Sequence, residues 1–298
     1  MALLNNIPGQ LQWAAEYPTC AAEFVRRFTD FDFIIALIAD RDEKYRNLFL
    51  NVEDRYRILD SGIFEDPQNP IDNKTLLRWA YELKVDEVVA IDLINDCEGT
   101  LDRLDDFLAM DKEFPFKVQG VVQGSTLDEW LYCYEEMVNN PRVDVIGLAY
   151  FDTPDDLKGK CLDFTPDEAE NARLTLLQLI AGGITYDYKL KQLNRKAPKI
   201  KPIHLLGIRH PIAIKYYRQY PFIRSIDTSF PVQLGIEGHP FDLDAKKPFY
   251  KMNFGAELNR ASSTIAGENS FRFSKLCHGK EETETWEMFD RLAPIKVG

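Results

Sequence analysis

Residues 222–231 read FIRSIDTSFP, a short apolar run that ends on Asp227 and a polar corner. Two other stretches have the same form: RYRILDSGIFED at 55–66 and FKVQGVVQGST at 116–126. Each reads as a buried strand whose last residues carry reactive groups out of a barrel mouth. On that reading Asp60, Gln123 and Asp227 share one site, although they lie far apart in the chain.

The surrounding sequence extends the pattern. Apolar runs occur at 31–39, 56–59, 88–93, 116–122, 143–149, 203–206 and 223–226, and an eighth is expected at 249–254. They are short, nearly continuous and rich in Val, Ile and Leu, as parallel strands covered on both faces must be. Helical periods separate them at 73–83, 100–110, 127–138 and 166–180. The alternation predicts an α/β fold, a (β/α)8 TIM barrel, as one domain over residues 1–298. It has a short N-terminal extension, an extra helix over 186–195 and a C-terminal tail from Asn269. A doubly wound open sheet is the alternative, but no GxGxxG follows the first strand.

The five cysteines form no CxxC pair and no disulfide framework, so a cytoplasmic protein is expected. No apolar stretch is long enough to span a bilayer, and the first residues lack a secretory pattern, so no membrane partner is expected. The net charge is −12, yet residues 188–224 hold no Asp or Glu. That stretch carries Lys189, Lys191, Arg195, Lys196, Lys199, Lys201, Arg209, Lys215, Arg218 and Arg224, interleaved with tyrosines. A basic island on an acidic body is suited to phosphate binding. Ordinary solvated helix faces are the alternative.

The strand ends present Asp60-Ser61-Gly62, Asp92, Gln123-Gly124, Gly147-Leu148-Ala149, Gly207 and Asp227. Two carboxylates that reach one sugar-linked bond are the minimum for glycosidic chemistry: one attacks, one moves protons. A single Asp after a strand is often only a cap or turn residue. Co-occurrence in chain order is what carries the functional reading.

Six strings occur in order: DSGIF (60–64), AIDL (90–93), VVQGS (121–125), IGLA (146–149), HLLGIRHP (204–211) and SIDTS (225–229). Their order resembles the tRNA-guanine transglycosylase superfamily, whose enzymes exchange a guanine in nucleic acid for a free 7-deazaguanine base such as preQ0. The resemblance implies a glycosyltransferase with Asp227 as the nucleophile at C1′ and Asp60 as general acid/base. It implies that Asp92, Gln123 and Gly124 bind the base edge, that Gly147, Leu148 and Ala149 touch the base through their backbone, that Phe64 stacks on it, and that Ser61 is among the substrate-binding residues. Arg209 and His210 at a helix start, with Lys189, Lys191, Arg195, Lys196 and Lys199, are the expected contacts to the nucleic-acid backbone. His204 otherwise reads as structural.

The chain departs from the family at Ile63, where a small residue is usual, and it lacks the Cys-x-Cys-x-x-Cys-plus-His zinc pattern after the nucleophile strand. No cofactor and no metal are therefore expected. The compact form is most similar to the DNA-directed branch found in phages and bacterial islands, so DNA is favoured over tRNA as partner. Three alternatives remain: a tRNA enzyme, a non-catalytic accessory subunit of a heteromeric enzyme (or a homo-oligomer), and an unrelated barrel hydrolase or lyase.

Overall fold

Ten strands and ten α-helices, mostly in alternation, are found among the described residues. The structure is a computed structural model and describes residues 8–50, 54–150, 154–157, 161, 165, 167–187, 192–195, 199–243 and 251–280. The strands are β1 (Gln12–Ala15), β2 (Asp32–Ile35), β3 (Arg57–Asp60), β4 (Glu87–Val89), β5 (Lys117–Val121), β6 (Val145–Ala149), β7 (Ile184–Asp187), β8 (Gln192–Arg195), β9 (Ile203–Leu206) and β10 (Ile223–Thr228). The helices are α1 (Ala22–Val25), α2 (Ala36–Arg41), α3 (Glu43–Leu50), α4 (Asn73–Glu82), α5 (Cys97–Ala109), α6 (Leu127–Asn139), α7 (Glu168–Ala181), α8 (Ala213–Tyr217), α9 (Phe230–Ile236) and α10 (Arg260–Cys277). Side-chain caps start the longer helices: Asp72, Asp96, Thr126, Asp167 and Asn259 each accept from an amide in the first turn.

Eight strands pair in the order β1-β10-β9-β6-β5-β4-β3-β2, and every pair is parallel. This is the expected (β/α)8 barrel, nearly closed. At the seam β1 and β2 are joined through the residues around them. Asp30 donates its amide to the Trp13 carbonyl at 2.9 Å, and the Trp13 amide donates to Asp30 Oδ2 at 2.9 Å. No helix among the described residues is long and apolar enough to cross a membrane.

Two expectations need correction, and the tail from Asn269, which could cover the barrel or serve an interface, covers the barrel as far as Cys277. The eighth strand is β1, not 249–254: residues 251–254 form no strand, and 249–250 lie outside the described residues. The residues of β1 are QWAA, too short and too poor in β-branched side chains to stand out. Trp13 anchors them, fully buried and edge-on to Phe273 with ring centroids 4.8 Å apart. The extra element after α7 is the antiparallel hairpin β7–β8 instead of a helix. Gly182 and Gly183, the latter at φ +68°, end α7, and the ITYD run that follows favours an extended chain. The C-terminal segment to Cys277 is core: α10 buries Ala266, Asn269 and Phe273 against the barrel. Its crossing with α9 is so close that a Cβ on Gly235 would lie 2.3 Å from Ala266 Cα.

An ion pair sits in the barrel interior. Glu87, the first residue of β4, binds Arg224 through two hydrogen bonds of 2.9 and 2.8 Å, and Tyr56 Oη donates to Glu87 Oε2 at 2.7 Å. Burial raises the Glu87 carboxyl, but Arg224 and Tyr56 more than offset it and hold the group below its usual range. Arg224 is the extra residue where β10 slips against β9: Ile223 pairs Ile203, and Ser225 pairs the next residue, His204. Arg224→Ala leaves Glu87 buried and uncompensated. It is expected to cost about 3–5 kcal/mol in denaturant unfolding. A loss below about 1 kcal/mol would contradict the pair's role in the core.

Candidate functional site

All eight barrel strands point their C-terminal ends at one mouth, where a cavity of about 430 Å³ opens. Its wall carries five carboxylates, Glu16, Asp60, Glu65, Asp92 and Asp227, and two cations, Arg209 and Lys251. Apolar side chains fill the rest, among them Phe33, Ile63, Phe64, Ile94 and Met252. Strand register brings the acids together. Asp60 ends β3 beside Ile35 of β2, and Asp227 on β10 lies beside Ala14 of β1.

Asp227 is 2 % exposed. Its Oδ1 accepts the Gly207 amide at 3.2 Å and faces His204 Nε2 at 3.1 Å. Gly207 can offer that amide because it turns at φ +71° directly after β9, a conformation that favours glycine. Arg173 braces the same corner from α7. Its Nη1 donates to the carbonyls of Leu148, Leu206 and Gly207, and its Nη2 binds Glu170. Glu170 in turn accepts the Arg209 amide.

Asp60 commits Oδ1 to the Gly62 amide at 2.7 Å, a turn contact that also orients the carboxyl. Gly62 sits at φ +80°, where a Cβ would meet Leu37 and Ile35 below 3 Å. Burial first, then the neighbouring Glu65, push the Asp60 carboxyl well above the carboxylate range; the Gly62 amide opposes, and Asp227 and Glu16 add to the rise. These surroundings favour the protonated form of Asp60. Glu65 is pushed up to about 8 by burial and by Glu16, with Lys251 opposing. Lys251 straps this loop, donating to the carbonyls of Phe64 and Glu65 and lying 5.0 Å from the Phe64 ring centroid.

Of the residues expected at the site, Asp60, Asp92, Asp227, Phe64, Ala149 and Arg209 line the cavity. Gln123 does not. It is fully buried, its Nε2 donates to Asp92 Oδ2 at 2.6 Å, and its Oε1 accepts the Asn95 amide at 2.9 Å. Its work is to hold Asp92 and the loop that presents Ile94. Ser61 is buried, and its hydroxyl accepts the Ile63 amide. Gly124 is tight against α6: a Cβ there would lie 2.5 Å from the Trp130 nitrogen. Gly147 faces Gln119 inside the barrel, and Leu148 is buried.

The basic island is not one face. Lys199 precedes β9, at the barrel end opposite the mouth, and donates to Asn139 Oδ1 at 3.0 Å. Lys201 binds the carbonyls of Met137, Asn140 and Val143, Arg218 those of Gly9 and Leu276, and Arg224 binds Glu87. Carbonyl and carboxylate groups of the chain itself thus take up these charges. His210, also expected to contact the nucleic-acid backbone, is buried, with 2 % of its surface exposed. Lys189, Lys191 and Lys196 lie outside the described residues, and Arg195 is described only as the end of β8.

Four residues were not anticipated: Glu16, Glu65, His204 and Lys251. Glu65 stands in the quoted 55–66 stretch, five residues after Asp60, and was legible there. Glu16 follows β1 and needed that strand to be recognised. Among the described residues, no group of three or more His, Cys, Asp or Glu side chains is arranged to hold a metal ion. No family model and no curated protein matches the chain.

The raised carboxyls set a pH dependence. The native state holds a Glu65 proton that an unfolded chain, with its glutamate near 4.5, releases below about 8. This stabilisation is full below pH 4.5 and is lost as pH rises through 8. The melting temperature of the Glu65→Gln variant should therefore fall less between pH 5 and 8 than that of the wild type. Equal slopes in thermal melts would contradict the shift.

Proposed function

We propose that this chain is a base-exchange glycosyltransferase that replaces guanine in nucleic acid, DNA before tRNA, with a free 7-deazaguanine base such as preQ0. The observation that carries the reading is the meeting of Asp60 and Asp227 in one cavity at the barrel mouth, the first in surroundings that favour its protonated form and the second held by the Gly207 amide. The ordered strings that resemble the transglycosylase superfamily supply the substrate class.

In this reading Asp227 attacks C1′ of the target nucleotide. A bond from its carboxylate to C1′ forms while the bond from C1′ to the guanine nitrogen breaks. Asp60 gives its proton to the departing guanine. An incoming base then gives its ring proton to Asp60 and displaces Asp227 from C1′. The two displacements retain configuration, as in retaining glycosidases. Asp92, steadied by Gln123, offers acceptors to the N–H edge of the base. Phe64, 41 % exposed at the rim, gives it a flat partner. The nucleotide must leave its stack to reach such a cavity, or be single-stranded already.

One observation favours a second reading, a small glycoside or nucleoside as substrate. Lys199, Lys201, Arg218 and Arg224 bind groups of the chain itself away from the mouth, which leaves Arg209 and Lys251 as the described cations at the cavity. Labelled preQ0 offered together with DNA and with tRNA separates these readings. Label in DNA, lost in Asp227→Asn and reduced at least about 100-fold in Asp60→Asn, is the expected result. Label in tRNA alone would move the partner to RNA. Label in neither, with release of base from a free nucleoside, would establish the second reading.

A further inference from the structure

The candidate nucleophile is joined to the buried ion pair by an unbroken line of hydrogen bonds. Arg224 Nε donates to Ser225 Oγ at 3.2 Å, Ser225 Oγ lies 2.8 Å from His204 Nδ1, and His204 Nε2 lies 3.1 Å from Asp227 Oδ1. His204 is fully buried on β9, pairs Ser225 in register, and its ring is stacked on Phe33 with centroids 5.6 Å apart. Such burial and stacking leave the ring little freedom to turn.

The line has one consistent direction of protons. An ionised Asp227 only accepts, so His204 Nε2 must donate to it. The imidazole is neutral, because burial first and then Arg224 and Arg173 oppose a second proton, with Glu87 opposing them. Its Nδ1 is then an acceptor, and the Ser225 hydroxyl proton points at it. Arg224, which can only donate, occupies a lone pair of Ser225 Oγ and leaves the hydroxyl proton turned toward His204. Glu87 neutralises the Arg224 charge at the far end. The reverse arrangement, with Nδ1 protonated, would put two acceptors face to face at Asp227 unless that carboxyl were itself protonated and so not a nucleophile.

We infer that His204 is the positioning residue of the site: a neutral imidazole, locked as its Nε2–H tautomer by Ser225 and Arg224, that donates to Asp227 Oδ1 and fixes the carboxylate plane together with the Gly207 amide. This rests on the reading of Asp227 as the attacking group. It assigns to a strand histidine, otherwise only part of the core, the task of aiming that group. A neutral donor serves better than a cation here, since an imidazolium would form an ion pair with the carboxylate and blunt its attack.

The test uses the full-length protein with 15N-labelled histidine, whose four residues are few enough to resolve, and His204→Gln to identify the signal. Long-range proton–nitrogen spectra should show His204 with a protonated Nε2 and a bare Nδ1, unchanged from pH 5 to 8. Ser225→Ala should change the Nδ1 signal and admit the other tautomer while the melting curve stays cooperative. An Nδ1–H ring, or an imidazolium, in the wild type would overturn the inference whatever the enzyme does.

Turnover gives a second arm. Ser225→Ala should lower kcat for base exchange by about tenfold or more with KM for nucleic acid unchanged. His204→Gln, whose amide can still donate near the Nε2 position, should retain more activity than His204→Leu. Equal kcat in Ser225→Ala and wild type would overturn the positioning role. Absence of exchange in a wild type that shows the Nε2–H tautomer would instead remove the reading of function and leave the hydrogen-bond line standing.

Discussion

Two opposite charges are shut inside this barrel, and the architecture of the mouth follows from how they are satisfied. Glu87 and Arg224 cannot be buried singly, because an unpaired charge in the core costs several kcal/mol. Their pairing requires Arg224 to reach across the interior from β10 to β4. It does so where β10 gains a residue against β9. The same slip sets Ser225 against His204 and leaves Asp227 two residues further on, at the strand end. A constraint of core electrostatics thus determines which carboxylate stands at the mouth and what holds it.

A second buried cation works from outside the strands. Arg173 ties together the carbonyl ends of β6 and β9 and is itself neutralised by Glu170 within one turn of α7. The Gly207 corner is fixed in this way, and with it the amide that reaches Asp227. Donors from two directions therefore converge on one oxygen. Asp60, by contrast, sits among carboxylates and apolar side chains on the opposite strands, and there the environment favours its protonated form. In the proposed reading these unlike surroundings give the two acids separate roles, a proton donor and an attacking anion, the division that acid–base pairs in glycosyl transfer require.

Much of the barrel was legible in the sequence because β2 to β6, β9 and β10 are dense in Val, Ile and Leu, and because the stretches that hold β3, β5 and β10 end in polar corners. The first strand was hidden, since QWAA owes its place to Trp13 packing on α10, a contact between opposite ends of the chain. The β7–β8 hairpin lay in a region whose charges suggested a helix face. The aspartates were legible as strand-end residues, but their partners were not. Nothing in HLLG says that His204 meets Asp227, and nothing in FKVQGVVQGST says that Gln123 turns to Asp92 rather than to the cavity. The basic stretch misled for a related reason: linear charge does not reveal that Lys201 and Arg218 satisfy backbone carbonyls while Arg224 pairs with Glu87.

The central claim is that Asp227 becomes covalently attached to the sugar of a nucleic acid. Its most direct measurement is the intact mass of the protein, denatured during turnover with a guanine-containing oligonucleotide. The account predicts a species heavier than the protein by the oligonucleotide less one guanine, with digestion placing the ester on Asp227. Steady turnover with no such species, or an ester found on Asp60 or Glu65, would contradict it.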